Sequence, residues 1–331
     1  MSQLWQLCPL GQVDLVKEAL ESGEDVNSLN EAGQTVLMCL AASSFWKNLM
    51  IIKLLLKQPA IEVNIANKTG LTALHIATDS GNIEAVKLLL ADKRVNVNCK
   101  DSDQMTPLLR VSCQGDKIDI FKLLLADDKV DLNCKDSCQR TPLFMAATRQ
   151  TEIEILKLLL SDQRVDMDWQ IFTPTGKSFT ALMWAMVKSN VEAVKLLLEN
   201  PRVNVNQVDS RGTAPLHIAS QPVAQGIDPA FLELFLAHPR MDVNCKQTSS
   251  GMTALHAAVS AENNVESVRL ILAEPRFTSA NERTTDSENQ TAVDIAASER
   301  NWDALRYLAQ HPKIDLDVKD KKGLGIDDMI R

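Results

Sequence analysis

Apolar and polar residues repeat along this chain with a period of 34 to 39 residues. Each period begins with a Thr-x-Leu triplet and an Ala-rich apolar stretch, and continues with a second apolar stretch at helical spacing, as at Ile83, Val86, Leu89 and Leu90. Two helices joined by a turn are therefore predicted for each period. The periods start at Thr35, Thr72, Thr106, Thr141, Thr180, Ala214, Thr253 and Thr291, with Ala replacing Thr once and Val replacing Leu in the last triplet.

The residues at the start of each first helix predict where that helix begins. Thr72, Thr106 and Thr141 precede apolar stretches and are expected to accept backbone N–H bonds as N-caps. Pro107 and Pro142 then occupy the first helical position, where the missing N–H of proline costs little. Because the second helices are apolar over a wide face, we expect each helix pair to bury that face against its neighbours.

The repeated segments resemble ankyrin repeats, whose pattern includes Thr-Pro-Leu-His-x-Ala and Asp-Val-Asn. The matching segments are TALHIA (72–77), TPLL (106–109), TPLF (141–144), APLHIA (214–219), TALHAA (253–258) and DVN at 25–27 and 242–244. The resemblance implies an all-α solenoid of stacked helix-turn-helix units with short β-hairpin or extended tips. The chain departs from the family where its second helices end, because it uses an extra residue and often Pro there, as in ENPRVNVN (199–206).

This pattern predicts a single ankyrin-repeat domain over residues 1–331. Residues 1–30 form a partial first repeat, in which SQLWQL and VDLVKEAL are the two helices, and residues 31–318 form eight repeats. Residues 319–331 are either a capping helix or a truncated repeat. Insertions lengthen the chain at residues 43–48, 169–179, 221–229 and 279–290, and such insertions fall in loops, often on the binding face.

Composition and charge narrow the class of partner. The chain has 331 residues, is 45% hydrophobic and only 4% aromatic, and carries a formal net charge of −8. Lys and Arg are scattered, so we expect neither nucleic acid nor an anionic membrane as a partner. A signal peptide and an uninterrupted run of eighteen apolar residues are both lacking, so we expect a protein of the cytoplasm or nucleus. We also expect a monomer.

The sequence offers no catalytic or metal-binding pattern, and we expect no enzyme, cofactor or metal. His75, His217 and His256 occupy one position of three repeats, where the resemblance implies a structural hydrogen bond between adjacent loops. His238 and His311 precede Pro and are expected to be exposed. Cys99 and Cys134 occupy one position of stacked repeats, about 8–10 Å apart, which exceeds the roughly 7 Å limit for a disulfide. Free thiols are therefore expected.

The resemblance implies that partners dock in a concave groove formed by the tips and the exposed sides of the first helices. Carried onto this chain, the candidate groove residues are Met105, Cys113, Gln114, Arg140, Thr148, Arg149, Phe172, Phe179 and Lys188. They combine apolar anchors with cationic donors, as protein interfaces often do.

Several aromatic and charged residues have two interpretations. Trp169, Ile171, Phe172 and Phe179 lie in one loop, and they either cover the stack or form an exposed patch. Phe45 and Trp46 are expected to cap local core. Arg110 shares its repeat position with Trp184, and we expect a surface arginine in preference to a buried ion pair.

The function expected from these features is a non-enzymatic scaffold or adaptor that binds a protein or peptide partner in the groove. One alternative is the targeting or regulatory part of a larger enzyme or receptor. Another alternative, which the resemblance implies, is that the chain is a substrate of an asparaginyl hydroxylase. The candidate modification sites are Asn64, Asn133 and Asn244. The same Asn also has a structural role in bracing the tip.

Overall fold

A computed structural model of the protein describes residues 2–173, 176–221, 228–262 and 264–315. In this part of the chain the first and second helices alternate in eight pairs, preceded by a shorter pair. The α-helices are α1 Leu4–Leu7, α2 Val13–Glu21, α3 Val36–Ala41, α4 Trp46–Leu56, α5 Ala73–Asp79, α6 Ile83–Ala91, α7 Pro107–Val111, α8 Ile118–Leu125, α9 Pro142–Ala147, α10 Ile153–Ser161, α11 Ala181–Val187, α12 Val191–Glu199, α13 Pro215–Ala219, α14 Ala230–Ala237, α15 Ala254–Val259, α16 Val265–Ala273, α17 Ala292–Ser298 and α18 Trp302–Gln310.

The short pair α1 and α2 confirms the two helices predicted in the first 30 residues. The predicted cap or truncated repeat at 319–331 lies outside the described residues. Among the described residues, no helix combines the length and the apolar character that crossing a membrane requires.

The first helices begin at the predicted Thr residues. The hydroxyls of Thr35, Thr106 and Thr180 accept hydrogen bonds from the backbone N–H three residues later, at 3.2 to 3.3 Å. These bonds satisfy backbone donors that a helix N-terminus otherwise leaves without a partner. Pro107 and Pro215 occupy the first turns of α7 and α13.

The contacts divide the chain into two compact units, residues 1–146 with 151–166 and residues 147–150 with 167–331. Within each unit, a first helix packs against its own second helix and against the first helix of the next pair, as α5 does with α6 and α7. The apolar faces of the second helices are fully buried, which is the main stabilising contribution to each stack. Their buried residues include Ile52 and Leu55 of α4, Val86 and Leu89 of α6, Phe121 and Leu124 of α8, and Phe231 and Phe235 of α14.

The second helices end with an extended residue and an arginine contact that the sequence did not predict. The residue after the helix takes an extended conformation, as at Asp92 and His238, and an arginine two residues later reaches back to the preceding repeat. Arg240 donates to the carbonyls of Leu198, Asn200, Pro201 and Val203 at 2.7 to 3.1 Å.

Arginines of three other repeats make bonds of the same kind to carbonyls of the preceding repeat. We call all four residues the carbonyl-binding arginines. A guanidinium at a helix C-terminus satisfies free carbonyls and favours the negative end of the helix dipole. The carbonyl-binding arginines are Arg94, Arg164, Arg240 and Arg276, and Lys313 makes a similar contact with Glu274 and Phe277.

The Asn that ends the Asp-Val-Asn segment or a similar segment braces successive repeats. Asn64 donates its amide to the carbonyl of Arg94 at 2.8 Å and accepts the N–H of Asn96 at 2.8 Å. Asn133 makes the equivalent bonds with Arg164 and Asp166. Both polar atoms of the side chain are thus used, which fits the structural role expected from the sequence.

The tips are turns closed by a side-chain carboxylate or amide. Asp101 accepts the N–H groups of Asp103 and Met105 at 2.8 and 2.9 Å, and Asn67 makes the corresponding bonds in the previous tip. Adjacent tips also touch, since the N–H of Ser102 donates to the carbonyl of Thr69 at 3.1 Å. The tip positions are therefore set by the stack before any partner binds.

In the described residues, one tip forms a strand pair. Strand β1, Ile171–Phe172, runs antiparallel to β2, Ser178–Phe179, with Ile171 opposite Phe179 and Phe172 opposite Ser178. The predicted alternatives for the tips, hairpin or extended turn, thus both occur.

Candidate functional site

Four of the predicted groove residues lie together in the first unit. Met105, Cys113, Gln114 and Arg140 line one open depression of about 410 Å³, which Asp103, Arg110, Asp136 and Ser137 complete. Met105 and Arg140 each precede the capping Thr of a first helix, while Cys113 and Gln114 follow the end of α7. The tip and the helix end therefore meet at this depression.

The charges at this depression are paired within the protein, and the expectation of a surface arginine at position 110 is wrong. The Arg110 side chain is 26% exposed, and its guanidinium contacts Asp79 at 2.8 Å and Asp101 at 2.5 Å. Hydrogen bonding to Asp79 raises the pKa of Arg110 above its ordinary value. Two carboxylates compensate the desolvation of the guanidinium, which a half-buried position requires.

Arg140 is also held in place. Its Nε donates to Asp136 at 2.7 Å, and the other oxygen of Asp136 accepts the backbone N–H groups of Cys138 and Arg140. The Arg140 side chain is still 40% exposed. It therefore offers a cation in a fixed orientation, which lowers the entropy lost when a partner binds.

Two predicted groove residues of the second unit, Phe179 and Lys188, lie with Trp184 in a separate cluster at β2 and at the end of α11. The rings of Phe179 and Trp184 meet edge to face, with centroids 4.9 Å apart. The ammonium group of Lys188 lies 5.5 Å from the centroid of the Trp184 ring, within the range of a cation–π contact. Trp184 occupies the repeat position that Arg110 holds in the first unit.

The two interpretations of the loop at 169–179 each apply to part of it. Ile171 is buried, and Trp169 and Phe179 are half-buried, so these residues cover the stack. Phe172 is 60% exposed. Because successive residues of a strand point to opposite faces, the register places Phe172 on the face opposite Phe179, and it does not join the Phe179–Trp184 pair.

Thr148 and Arg149, the remaining predicted groove residues, follow the end of α9 in the segment 147–150. Thr148 is half-buried and Arg149 is exposed. Both belong to the second unit, so the structure does not place them in the depression of the first unit.

The expectation that Phe45 and Trp46 cap local core is wrong. Phe45 is 49% exposed and Trp46 is 58% exposed. Trp46 lines an open depression of about 560 Å³ with Leu10, Leu15 and Met50. The sequence does not show whether an aromatic residue at the start of a helix covers the core or is exposed, because a polar loop precedes it in either case.

Two of the three repeat-position histidines link adjacent repeats. Nε2 of His75 bonds the carbonyl of Met105 at 3.1 Å, and Nε2 of His217 bonds that of Met252 at 2.9 Å. His256 contacts Thr253 of its own repeat, and the backbone of Gln290 in the next repeat acts on its pKa against the effect of burial, but its Nε2 makes no close hydrogen bond among the described residues. Burial lowers the pKa of all three below the ordinary value of 6.5.

His238 and His311 are half-buried, and the expectation that they are exposed is wrong. Nε2 of His238 bonds the carbonyl of Leu198 at 3.1 Å. Both side chains therefore belong to the ends of the second helices.

Neither the cysteines nor a cluster of metal ligands adds a chemical site to the described residues. None of the seven cysteines, all of which lie among the described residues, forms a disulfide, and burial raises the pKa of Cys134 and Cys245 to about 12. Throughout residues 2–173, 176–221, 228–262 and 264–315, no group of three or more His, Cys, Asp or Glu side chains is arranged to hold a metal ion.

The three Asn proposed for hydroxylation, Asn64, Asn133 and Asn244, all have the bracing geometry. Asn64 is exposed, and Asn133 and Asn244 are half-buried. Hydroxylation of these residues stays a prediction, which intact-mass analysis after co-expression with an asparaginyl hydroxylase tests.

The comparison with protein families agrees with this geometry. A family model described as ankyrin repeats, in three copies, matches residues 4–101, 91–171, 154–226 and 216–320. The matches extend over nearly the whole chain and confirm the predicted fold class, an all-α ankyrin solenoid.

Proposed function

Because the chain belongs to the ankyrin repeat family, we propose that it is a non-enzymatic scaffold that binds a protein or peptide through its tips and the exposed sides of its first helices. Ankyrin repeats are generally modules for protein–protein interaction. The finer proposal concerns which surface of this chain makes the contact.

One observation carries this proposal. The residue before the capping position is half-exposed in all eight repeats, and its chemistry differs from repeat to repeat. The buried positions around it keep their residue type, as the Leu two residues after the cap does in seven repeats. Variation confined to a half-exposed position suits recognition more than packing. The eight residues are Gln34, Leu71, Met105, Arg140, Phe179, Thr213, Met252 and Gln290.

The mechanism that follows is binding by a rigid surface. Tips are closed by Asn67, Asp101 and Asp136 and are joined to their neighbours by backbone hydrogen bonds. Little ordering entropy is then lost on association, so the affinity depends on the side chains at the tips.

The proposal is tested by charge reversal with a matched control. Partners are captured from native cell extract on the wild-type protein, on the Arg140→Glu, Arg149→Glu, Lys188→Glu variant, and on a Lys122→Glu, Lys195→Glu, Arg306→Glu variant. The control residues are exposed on second helices. We expect the first variant to lose the partners and the control to keep them, with both variants folded by circular dichroism.

Partners that the first variant retains at wild-type levels count against the proposal. Partners that only the control variant loses assign the binding face to the second helices instead.

A further inference from the structure

Three exposed cations lie on the tips and the helix that carry or adjoin the Phe179–Trp184 pair of the second unit. Lys177 directly precedes β2, two residues before Phe179. Lys188 covers one face of Trp184. We call Lys177, Phe179, Trp184, Lys188 and Arg211 the aromatic–cationic surface.

Arg211 is brought to this surface by hydrogen bonds between two tips. The hydroxyl of Ser210 donates to the carbonyl of Gly176 at 2.7 Å, and the N–H of Ser210 donates to the hydroxyl of Ser178 at 2.7 Å. Lys177 and Arg211 are each next in sequence to residues of this contact. The two cations are therefore both exposed at neighbouring tips that contact each other.

The three cations are exposed, and none forms an ion pair with another described residue. The acidic residues nearest in sequence are Asp209 and Glu192. Asp209 accepts the backbone N–H groups of Arg211 and Thr213 in its own tip. In a chain with a net charge of −8, a positive surface beside two aromatic rings favours an acidic partner by charge complementarity.

We infer that the aromatic–cationic surface binds an acidic peptide segment that carries aromatic or aliphatic side chains. This inference rests on the proposed function and adds the chemistry of the partner. Carboxylates of the segment pair with Lys177, Lys188 and Arg211, and its apolar side chains pack on Phe179 and Trp184.

A single-stranded nucleic acid is also acidic and can stack on aromatic rings. The geometry disfavours it, because Lys188 covers one face of Trp184 and the edge-to-face contact with Phe179 leaves no pair of parallel rings for a base. Three cations also give a short track for phosphates.

The test uses three fluorescein-labelled probes with the protein of residues 1–331. Binding is measured by fluorescence anisotropy at low and moderate salt. The first probe is a twelve-residue peptide with Phe at every third position and Asp or Glu elsewhere. The second replaces each Asp and Glu by Asn and Gln. The third is a twelve-nucleotide single strand of mixed sequence.

We expect the acidic peptide to bind at least about tenfold more tightly than its amide counterpart, with the difference shrinking as salt is raised. The variant Lys177→Gln, Lys188→Gln, Arg211→Gln weakens binding of the acidic peptide by about tenfold, because three exposed charge contacts are lost. The control variant Lys195→Gln, Arg269→Gln, Arg306→Gln removes three exposed cations of second helices in the same unit and leaves the affinity unchanged.

The variant Trp184→Met tests the apolar part. Met145 occupies this position in another repeat, so the variant is expected to fold. We expect it to weaken binding of the acidic peptide several-fold, since the aromatic contact surface is reduced.

Other outcomes overturn the inference. Equal affinity for both peptides rejects the charge preference and leaves the proposed function standing. Tighter binding of the oligonucleotide assigns the surface to nucleic acid. If none of the probes binds, the inference fails, while partner capture on the charge-reversal variant decides the proposed function separately.

Discussion

At the scale of single residues, Gly70 allows two successive tips to approach closely. Its φ is 79°, a conformation that side chains rarely adopt. A Cβ atom at this position would lie 2.7 Å from the backbone nitrogen of Ser102 and 2.8 Å from the Cα of Asp101. Gly81 has a similar φ of 73°, but a Cβ atom there would meet open space. The two glycines therefore separate the effect of backbone conformation from that of tip contact.

We predict that Gly81→Ala lowers the free energy of unfolding by about 1 kcal/mol, the cost of the left-handed conformation. Gly70→Ala should cost about 1 to 3 kcal/mol more, because the backbone of the next tip must move. Urea unfolding of both variants measures the difference. Equal losses would show that the tips do not touch as described.

The buried histidines predict a pH dependence of stability. Burial lowers the pKa of His75, His217 and His256 below 6.5, so their neutral form is favoured in the folded state. As the pH falls below 6.5, the unfolded state binds protons that the folded state resists, and stability is lost. We predict that the urea midpoint falls between pH 7.5 and pH 5.5.

A matched variant isolates the histidine contribution. Met38 and Met183 occupy the same repeat position, so replacing the three histidines by Met should preserve the fold. The triple variant should show a smaller fall in urea midpoint over this pH range. An unchanged slope would contradict the assignment to these histidines, since the remaining slope would belong to other groups such as His238 and His311.

At the scale of the helix pair, the carbonyl-binding arginines connect the end of one second helix to the next repeat. Arg240 bonds four carbonyls of residues 198–203, whereas Arg269 only pairs with Glu266 on the surface of α16. Lys313 makes two such bonds in the last described repeat. A lysine has one donor group in place of the guanidinium fork, so it reaches fewer carbonyls.

We predict that Arg240→Met lowers the free energy of unfolding by about 1 kcal/mol or more, because several charge-assisted hydrogen bonds are lost. Arg240→Lys should lose less. Arg269→Met, the control, should change stability by less than about 0.5 kcal/mol. Chemical denaturation of the three variants gives the ranking, and a loss for Arg269→Met equal to that for Arg240→Met would refute it.

The helix pairs were predictable because their signals are local. The Thr caps, Pro107 and the apolar spacing of residues 83–90 each act within one helix, and the structure has helices at those positions. The ends of the second helices were not predictable in detail, since Arg94 acts on carbonyls 36 and 38 residues earlier. A recurring Arg three residues after the last helical residue, before Val-x-Val-Asn or a similar segment, is the sequence signal that would have predicted these contacts.

The positions of some candidate residues were predictable because their signal is also local. The place of Met105 and Arg140 at the tips follows from their position before the capping Thr. The pairing of Arg110 was missed because Asp79 lies 31 residues away. The separation of Phe172 from Phe179 depends on strand register, which the irregular loop sequence does not specify.

At the scale of the whole molecule, the chain is a repetition of one supersecondary unit with its variation concentrated at the tips. Buried positions keep Leu, Ala and Val in repeat after repeat, while the half-exposed positions range from Leu71 and Arg140 to Gln290. We therefore propose that folding and recognition use different residues. Substitutions at the half-exposed positions before the caps should alter binding with little effect on stability.

Site-specific photocrosslinking tests the central claim, that the tips and first helices bind the partner, most directly. Benzoylphenylalanine is placed at Gln114 or Lys188, next to the ends of first helices. It is also placed at Lys122 or Lys195, two exposed residues of second helices. After illumination in native cell extract, the account predicts crosslinked partner bands from positions 114 or 188 and none from 122 or 195. Crosslinks confined to positions 122 and 195 would contradict it.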